Sequence, residues 1–226
     1  MQGSCIVENK HSECFEVLTP EEQKLLDENT INITYNKGEI IAKQGTFASH
    51  IIYLKEGLVK VYMGDDNKDL ILKIIPSNHF IGLSSLFEGN NTFIYSASTY
   101  VKSTASLIDI NFFKRLIRRN PEFAYKILNI QNENVAQVYG RFYCLTRKQS
   151  CGLVADLLMC LATRVFKSEE FMLPLSRADL ADLTGLSTES VMRILKEFKE
   201  DKLLEAKGKV IKILDKDKLE KISNYG

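Results

Sequence analysis

Residues 175–199, LSRADLADLTGLSTESVMRILKEFK, constrain this chain most strongly, because they carry the pattern of two short helices joined by a tight turn. Ser176 can cap the first helix, and Asp179 three residues later completes a capping-box pattern. Gly185 follows where the turn needs a residue that tolerates positive φ, and Ser187 can cap the second helix. The segment therefore predicts a helix-turn-helix.

The second predicted helix has an apolar back and a polar front. The back is a stripe at helical spacing: Val191, Ile194, Leu195 and Phe198. The front carries Thr188, Glu189, Met192, Arg193 and Lys196. The major groove of DNA accepts a helix of this kind. An ordinary helical hairpin is the competing interpretation, and the small Ala181 and the turn glycine at their spacings favour the DNA-binding motif.

Two runs in this region resemble a known family. Residues 189–195, ESVMRIL, look like the recognition helix of the CRP/FNR family of bacterial transcription regulators, and residues 208–213, GKVIKI, resemble the wing that follows it. The resemblance implies an α+β fold with an N-terminal antiparallel β-roll, a long dimerisation helix and a C-terminal winged helix-turn-helix. It also implies a homodimer that binds an inverted-repeat operator in double-stranded DNA, with RNA polymerase as a further partner.

Composition limits the alternatives. The 226 residues, 45% hydrophobic and 26% charged, are typical of a soluble globular protein of one large or two modest domains. The net charge is only +1, so any DNA-binding charge must be local, and residues 193–212 supply it. Neither an apolar run approaching the ~20 residues of a membrane span nor a signal-peptide pattern is found, which predicts a cytoplasmic protein.

The period of the sequence changes from helical to two at Ile31. Short apolar runs follow at residues 31–35, 40–41, 51–54, 58–62, 70–75, 93–97 and 103–110, separated by turn residues. This spacing predicts a small antiparallel barrel or roll. The runs KGEIIAKQG and IIYLKEGLVKVY resemble the cyclic-nucleotide-binding β-roll. The expected domains are the N-terminal segment and roll (1–110), the dimerisation helix (111–149) and the winged helix-turn-helix (150–226).

The resemblance places an effector pocket after the middle strands, at Gly82, Leu83, Ser84, Ser85, Tyr95, Ser96, Val138 and Tyr139. The family's nucleotide binders have Glu where this chain has Leu83, and Arg-Ser where it has Tyr95-Ser96. Their adenine-contacting Thr-Ser falls on Val138-Tyr139. A buried phosphate without a cation is costly, so cyclic AMP is not the expected effector. An apolar or aromatic effector and a pocket filled by its own side chains both stay open.

Metal-based sensing is the alternative for the effector. The family's haem-binding members place a histidine where this chain has Leu83, whereas His79 lies four positions away and is interpreted as a turn or surface residue. Cys5 and Cys14 are separated by eight residues, which disfavours an iron–sulfur cluster, and no cofactor is predicted. Whether Cys5, Cys14, Cys144 or Cys151 act in redox sensing stays open, as does a ligand-sensing module without a DNA role.

A long helix is predicted from Asn120-Pro121 toward Gln149. Apolar residues and one glutamine alternate by three and four along it, as in a coiled-coil seam. The predicted dimer interface is Ala124, Leu128, Gln131, Val135, Val138, Phe142 and Leu145. The neighbouring face, with Phe123, Ile127 and Ile130, would pack on the roll.

The expected DNA contacts are Ser176, Arg177, Ser187, Thr188, Glu189, Ser190, Met192, Arg193, Lys196 and Lys209. Glu189 can accept from cytosine N4 and Arg193 can pair with guanine O6 and N7. Their i, i+4 spacing also permits an ion pair between them. Ser187, Arg177, Lys196 and Lys209 are interpreted as phosphate contacts, which position without specifying. With three histidines and no nucleophile motif, no enzyme activity is predicted.

Overall fold

The computed structural model describes residues 11–64 and 69–226, apart from the side chain of residue 69. The helices are α1 (Pro20–Glu28), α2 (Ile110–Arg119), α3 (Pro121–Arg147), α4 (Ser150–Cys160), α5 (Arg177–Thr184), α6 (Thr188–Glu200) and α7 (Lys216–Tyr225). The strands are β1 (Thr30–Tyr35), β2 (Ile40–Ala42), β3 (His50–Glu56), β4 (Leu58–Gly64), β5 (Asp69–Pro76), β6 (His79–Ile81), β7 (Ser96–Thr99), β8 (Ser103–Asp109), β9 (Glu170–Met172), β10 (Leu204–Lys207) and β11 (Val210–Ile213). Cys5 lies outside the described residues.

The period-two segments of the N-terminal half form two four-stranded sheets, in the orders β1-β8-β3-β6 and β2-β7-β4-β5. The strand pairs with described register are antiparallel, and inward-facing Ile51, Leu54, Val59 and Val61 are at most 1% exposed. The predicted α+β fold with an N-terminal antiparallel roll is therefore confirmed. The strand predicted at residues 93–97 begins only at Ser96.

Two elements of this half were not predicted. The short strand β6 pairs with β3, and His79 lies in it with 4% of its surface exposed, so its interpretation as a turn or surface residue is wrong. Its Nδ1 donates to the Ser77 carbonyl at 2.8 Å. The segment expected to form one dimerisation helix, 111–149, holds α3 and most of α2, and the two helices are separate because Pro121 lacks the N–H that would continue α2.

The C-terminal half contains the winged module. β10 and β11 pair antiparallel around Gly208, whose φ is 61°, and β9 joins β11 as the third strand. This confirms the predicted wing. The chain divides into two compact units, one that includes residues 11–64 and 74–135 and one that includes residues 69–73 and 136–226. Among the described helices, none is long and apolar enough to span a membrane.

Candidate DNA-binding interface and effector pocket

Local hydrogen bonds build the helix-turn-helix as its sequence predicts. Ser176 Oγ accepts from the Asp179 N–H at 3.1 Å, and Asp179 Oδ2 accepts from the Ser176 N–H at 2.8 Å. Gly185 adopts φ 68°, which favours glycine over residues with a Cβ. Ser187 Oγ then accepts from the Ser190 N–H at 3.2 Å and caps α6. These contacts set where α5 ends and where α6 begins.

The back of α6 is buried against its module. Val191, Ile194 and Phe198 are at most 3% exposed. Leu195, predicted in the same stripe, is only half-buried and lines a cleft with Met192 instead. Leu195 is four residues after Val191 and three before Phe198, so it belongs to the same apolar face, and its partial exposure shows that this face is wider than the part that is buried.

A cleft of about 490 Å³ lies between α5, α6 and the wing. Its floor is apolar, with Leu173, Leu180 and Ile211 among the lining residues. Basic side chains also line it: Arg177, Lys196, Lys199 and Lys209. Lys199 was missed by the sequence analysis, although its spacing of three from Lys196 places both on one helix face. Four cationic side chains are thus concentrated at this cleft, although the net charge of the whole chain is only +1.

The structure places the predicted DNA-contacting residues in two groups. Ser176, Arg177, Met192, Lys196 and Lys209 line the cleft. Ser187, Thr188, Glu189, Ser190 and Arg193 lie at or near the start of α6, all of them at least partly exposed.

Arg193 does not pair with Glu189. Its Nη1 lies 2.9 Å from Oε1 of Glu197, one turn toward the C-terminus of α6. Glu189 lies in the first turn, where free N–H groups and the helix dipole already favour a carboxylate. The side chain of Arg193 remains 63% exposed, so it is available to a partner outside the chain. In the absence of DNA, Arg193 therefore forms its ion pair with Glu197 and not with Glu189.

The predicted effector pocket is partly filled by its own side chains. Gly82 has φ 90° and begins the short 3₁₀ helix Leu83–Leu86, and its N–H donates to the Tyr95 hydroxyl at 2.9 Å. Burial raises the pKa of Tyr95, although the hydrogen bonds to Gly82 and Ser84 oppose this effect. A Cβ on Gly82 would lie 2.9 Å from the ring of Phe93, so both the space and the φ call for glycine.

The remaining pocket residues have varied surroundings. Leu83 is 3% exposed, and Ser85, fully buried, donates to the Thr92 carbonyl at 3.2 Å. Ser96 Oγ accepts from the Gln44 N–H at 3.1 Å. Val138 and Tyr139 lie on α3, where they are 64% and 70% exposed.

The long helix α3 has one buried face and one exposed apolar face. Phe123, Ile127 and Ile130 are at most 8% exposed, so the face predicted to pack on the roll is buried. On the predicted seam, the exposed fractions are 55% for Leu128, 48% for Val135, 64% for Val138, 69% for Phe142 and 36% for Leu145. A continuous apolar stripe of this size on a helix is typical of a surface that another protein covers.

The four cysteines in the described part of the chain are outside any disulfide. Cys14, Cys144 and Cys160 are buried, and Cys151 is partly exposed. Burial raises the pKa of Cys14 well above its ordinary range, which keeps it as a neutral thiol at physiological pH. No group of three or more potential metal-ligating side chains occurs among the residues that the structure describes.

Comparisons with known proteins bear on both units. A family model described as a cyclic nucleotide-binding domain matches residues 32–120, and one described as a Crp-like helix-turn-helix domain matches residues 154–222. The transcriptional activator protein FnrA of Stutzerimonas stutzeri is 27% identical over 187 residues, covering 79% of this chain and 75% of that protein. The cAMP-activated global transcriptional regulator CRP of Salmonella typhimurium is 26% identical over 183 residues, covering 78% of this chain and 86% of that protein.

The chain belongs to the CRP/FNR family. A solved structure agrees with this assignment at the level of the fold. FixK2 from Bradyrhizobium japonicum superposes with a TM-score of 0.78 at 20% identity, covering 85% of this chain and 96% of FixK2. The protein is therefore a CRP/FNR-type transcription regulator that combines a cyclic-nucleotide-binding-type roll with a DNA-binding helix-turn-helix.

Proposed function

We propose that this CRP/FNR regulator is a homodimer that binds an inverted-repeat operator by inserting α6 into successive major grooves. The observation that carries the proposal is the exposed polar start of α6 beside a cleft lined by four cations. Groove contacts specify bases, whereas cations at the groove edge bind phosphates and add affinity without sequence information. Both kinds of group occur here on one surface of one module.

The side chains divide between these two roles. Arg193 is proposed to donate to guanine O6 and N7, and Glu189 to accept from cytosine N4 of the same base pair. Thr188, Ser190 and Met192 complete the groove-facing side of α6. Ser176, Arg177, Ser187, Lys196 and Lys209 are proposed to contact phosphates, and the cleft adds Lys199 to this set.

The second subunit is proposed to cover the apolar stripe of α3. Ala124 and Gln131 are half-buried members of the seam, and its larger apolar residues are exposed. Two α3 helices packed along this stripe would remove those side chains from water. The proposed boundaries remain 1–110 for the N-terminal segment and roll, 111–149 for the dimerisation segment and 150–226 for the DNA-binding domain.

The effector is proposed not to be a cyclic nucleotide. Leu83 offers no acceptor for a ribose hydroxyl, and the Tyr95 hydroxyl already accepts the Gly82 N–H. No cofactor is assigned to the protein.

RNA polymerase is proposed as a partner because FnrA, a relative, is a transcriptional activator. FnrA and CRP are both transcriptional regulators, and we likewise propose that this chain carries no catalytic site.

A binding selection tests the DNA proposal directly. Fragments of total genomic DNA retained by the full-length protein in a band-shift should share an inverted repeat. A Lys196→Gln, Lys209→Gln variant should bind the same repeat more weakly, with the salt slope reduced by about two, one for each lost phosphate contact. If the wild-type protein retains no fragment above a non-specific background, a ligand-sensing module without a DNA role becomes the better proposal.

A further inference from the structure

Arg141 is a buried cation on α3 that the proposed DNA interface does not use. It is 8% exposed, and its Nη2 donates to two peptide carbonyls, Ile71 O at 2.9 Å and Leu183 O at 3.0 Å. A guanidinium is costly to bury unless its donors are satisfied. The two short hydrogen bonds offset part of the cost of burying the charge. Through one nitrogen atom they connect α3 to β5 and to α5.

The contact with Leu183 acts on the helix-turn-helix itself. α5 ends at Thr184, so Leu183 O is among the carbonyls that have no partner within the helix. The N–H groups of Gly185 and Leu186 donate to Ala181 O, whereas Leu183 O accepts from Arg141. A cation at a helix C-terminus also interacts favourably with the helix dipole. Arg141 thus caps the first helix of the motif from outside the motif.

A second contact places the turn against α3. A Cβ built on Gly185 would lie 3.7 Å from Cδ2 of Leu145, so the turn between α5 and α6 packs on the C-terminal part of α3. Leu145 belongs to the predicted dimer seam. The helix α3, which is proposed to form the dimer interface, therefore also contacts the helix-turn-helix.

We propose that Arg141 is a positioning residue, which fixes the orientation of the helix-turn-helix on α3 and so sets the distance between the two recognition helices of the dimer. The proposal rests on the proposed function, since it needs two copies of α6 on one operator. Arg141 touches no base in this scheme. Its loss should leave the contacts within each half-site intact and should relax the spacing that the dimer requires between half-sites.

The test is a selection on operators whose half-sites are separated by the preferred spacer and by spacers one base pair shorter or longer. Arg141→Met should reduce the discrimination between spacers by roughly 10-fold, the ratio expected when a hydrogen bond to a charged group is lost. Its base preference within each half-site should stay that of wild type. Arg141→Lys should restore most of the discrimination, because one ammonium nitrogen can replace Nη2 at both carbonyls. Arg147→Met is the matched control, because it removes the same charge from an exposed position on α3.

The proposal is overturned if a folded Arg141→Met variant discriminates between spacers as well as wild type does. It is also overturned if Arg147→Met loses as much spacer discrimination as Arg141→Met. If Arg141→Met does not fold, Arg141→Gln takes its place, since its shorter neutral amide cannot reach both carbonyls, and the same two outcomes apply. Failure of the proposed function looks different, because wild-type protein would then show neither binding nor a preferred spacer.

Discussion

At the scale of single residues, Arg193 and Lys209 are expected to make different kinds of DNA contact. Arg193 lies on the exposed side of α6 with Glu189 one turn before it, and Lys209 lies beside the cleft at the wing. A bidentate pair with guanine gives about 1–3 kcal/mol of discrimination against other bases, whereas a phosphate contact affects all sequences alike.

A randomised-operator selection separates these two roles. Arg193→Ala should relax the preference at one base pair in each half-site, and Glu189→Ala should relax the same base pair. Lys209→Ala should weaken binding without changing any preference. If Arg193→Ala keeps the wild-type preference at every position and loses affinity evenly, Arg193 is a phosphate contact and the assignment of the helix face is wrong.

The pairing of Arg193 with Glu197 leads to a second prediction at this scale. Arg193 must exchange the carboxylate at 2.9 Å for guanine, so Glu197 competes with the base. Glu197→Gln should therefore tighten operator binding by about 1.4- to 5-fold, since an exposed ion pair contributes about 0.2–1 kcal/mol. The gain should be largest on operators that carry the guanine, and a binding titration on matched and substituted operators would measure it.

Glu200→Gln is the control for that measurement. Glu200 lies 3.6 Å from Lys196, so the substitution removes the same charge from an equivalent pair on the same helix. Any gain it produces should be equal on both operators, because Lys196 is proposed to contact phosphate. Equal gains from Glu197→Gln on both operators would show only a general reduction of charge repulsion and would contradict competition at Arg193.

At the scale of elements, α3 carries the prediction of the dimer. Val135 and Val138 are 48% and 64% exposed in the single chain, in the middle of the seam. A Val135→Glu, Val138→Glu variant would place carboxylates against each other in a dry interface, which costs more than the dimer contact can offset. Analytical ultracentrifugation should show a monomer at concentrations where wild type is a dimer.

The matched control uses a position on α3 that lies off the seam. Tyr125 is 63% exposed, and Tyr125→Glu should leave the dimer intact although it adds one of the two negative charges that the seam variant adds. A dimer that survives both glutamates in the seam would remove the assignment of this stripe, whatever the control shows.

At the scale of the whole molecule, the prediction concerns the signal that the regulator receives. Calorimetric titration with cyclic AMP and with cyclic GMP should show no binding at micromolar concentrations. The reason is that Leu83 is apolar and cannot accept from a ribose hydroxyl, and that Tyr95 stands where the family's nucleotide binders have an arginine, so a bound phosphate would lack its cation. Micromolar binding of either nucleotide, together with a rise in operator affinity, would contradict the prediction.

The sequence by itself determined the elements of this protein whose hydrogen bonds are local. The caps at Ser176 and Ser187 and the turn at Gly185 depend on residues three or four positions apart, so the helix-turn-helix could be predicted. The strands of the roll and the buried face of α3 followed from the period of their apolar residues, which is a local pattern even though each strand pairs with a distant one. The short strand β6 lacked such a period, and it was missed.

Only the tertiary structure decided the contacts between distant residues or between equally spaced alternatives. Arg141 meets the Ile71 carbonyl across 70 positions and the Leu183 carbonyl across 42, and no local pattern encodes either hydrogen bond. Arg193 had acids at i−4 and i+4, and their identical spacing left the choice to the surroundings of each carboxylate. The Tyr95 hydroxyl meets the Gly82 N–H because the segment that connects β6 to β7 folds back until its two ends are in contact. A sequence pattern shows which hydrogen-bond and ion-pair partners are possible. Tertiary packing selects among them, because burying a donor without an acceptor is costly.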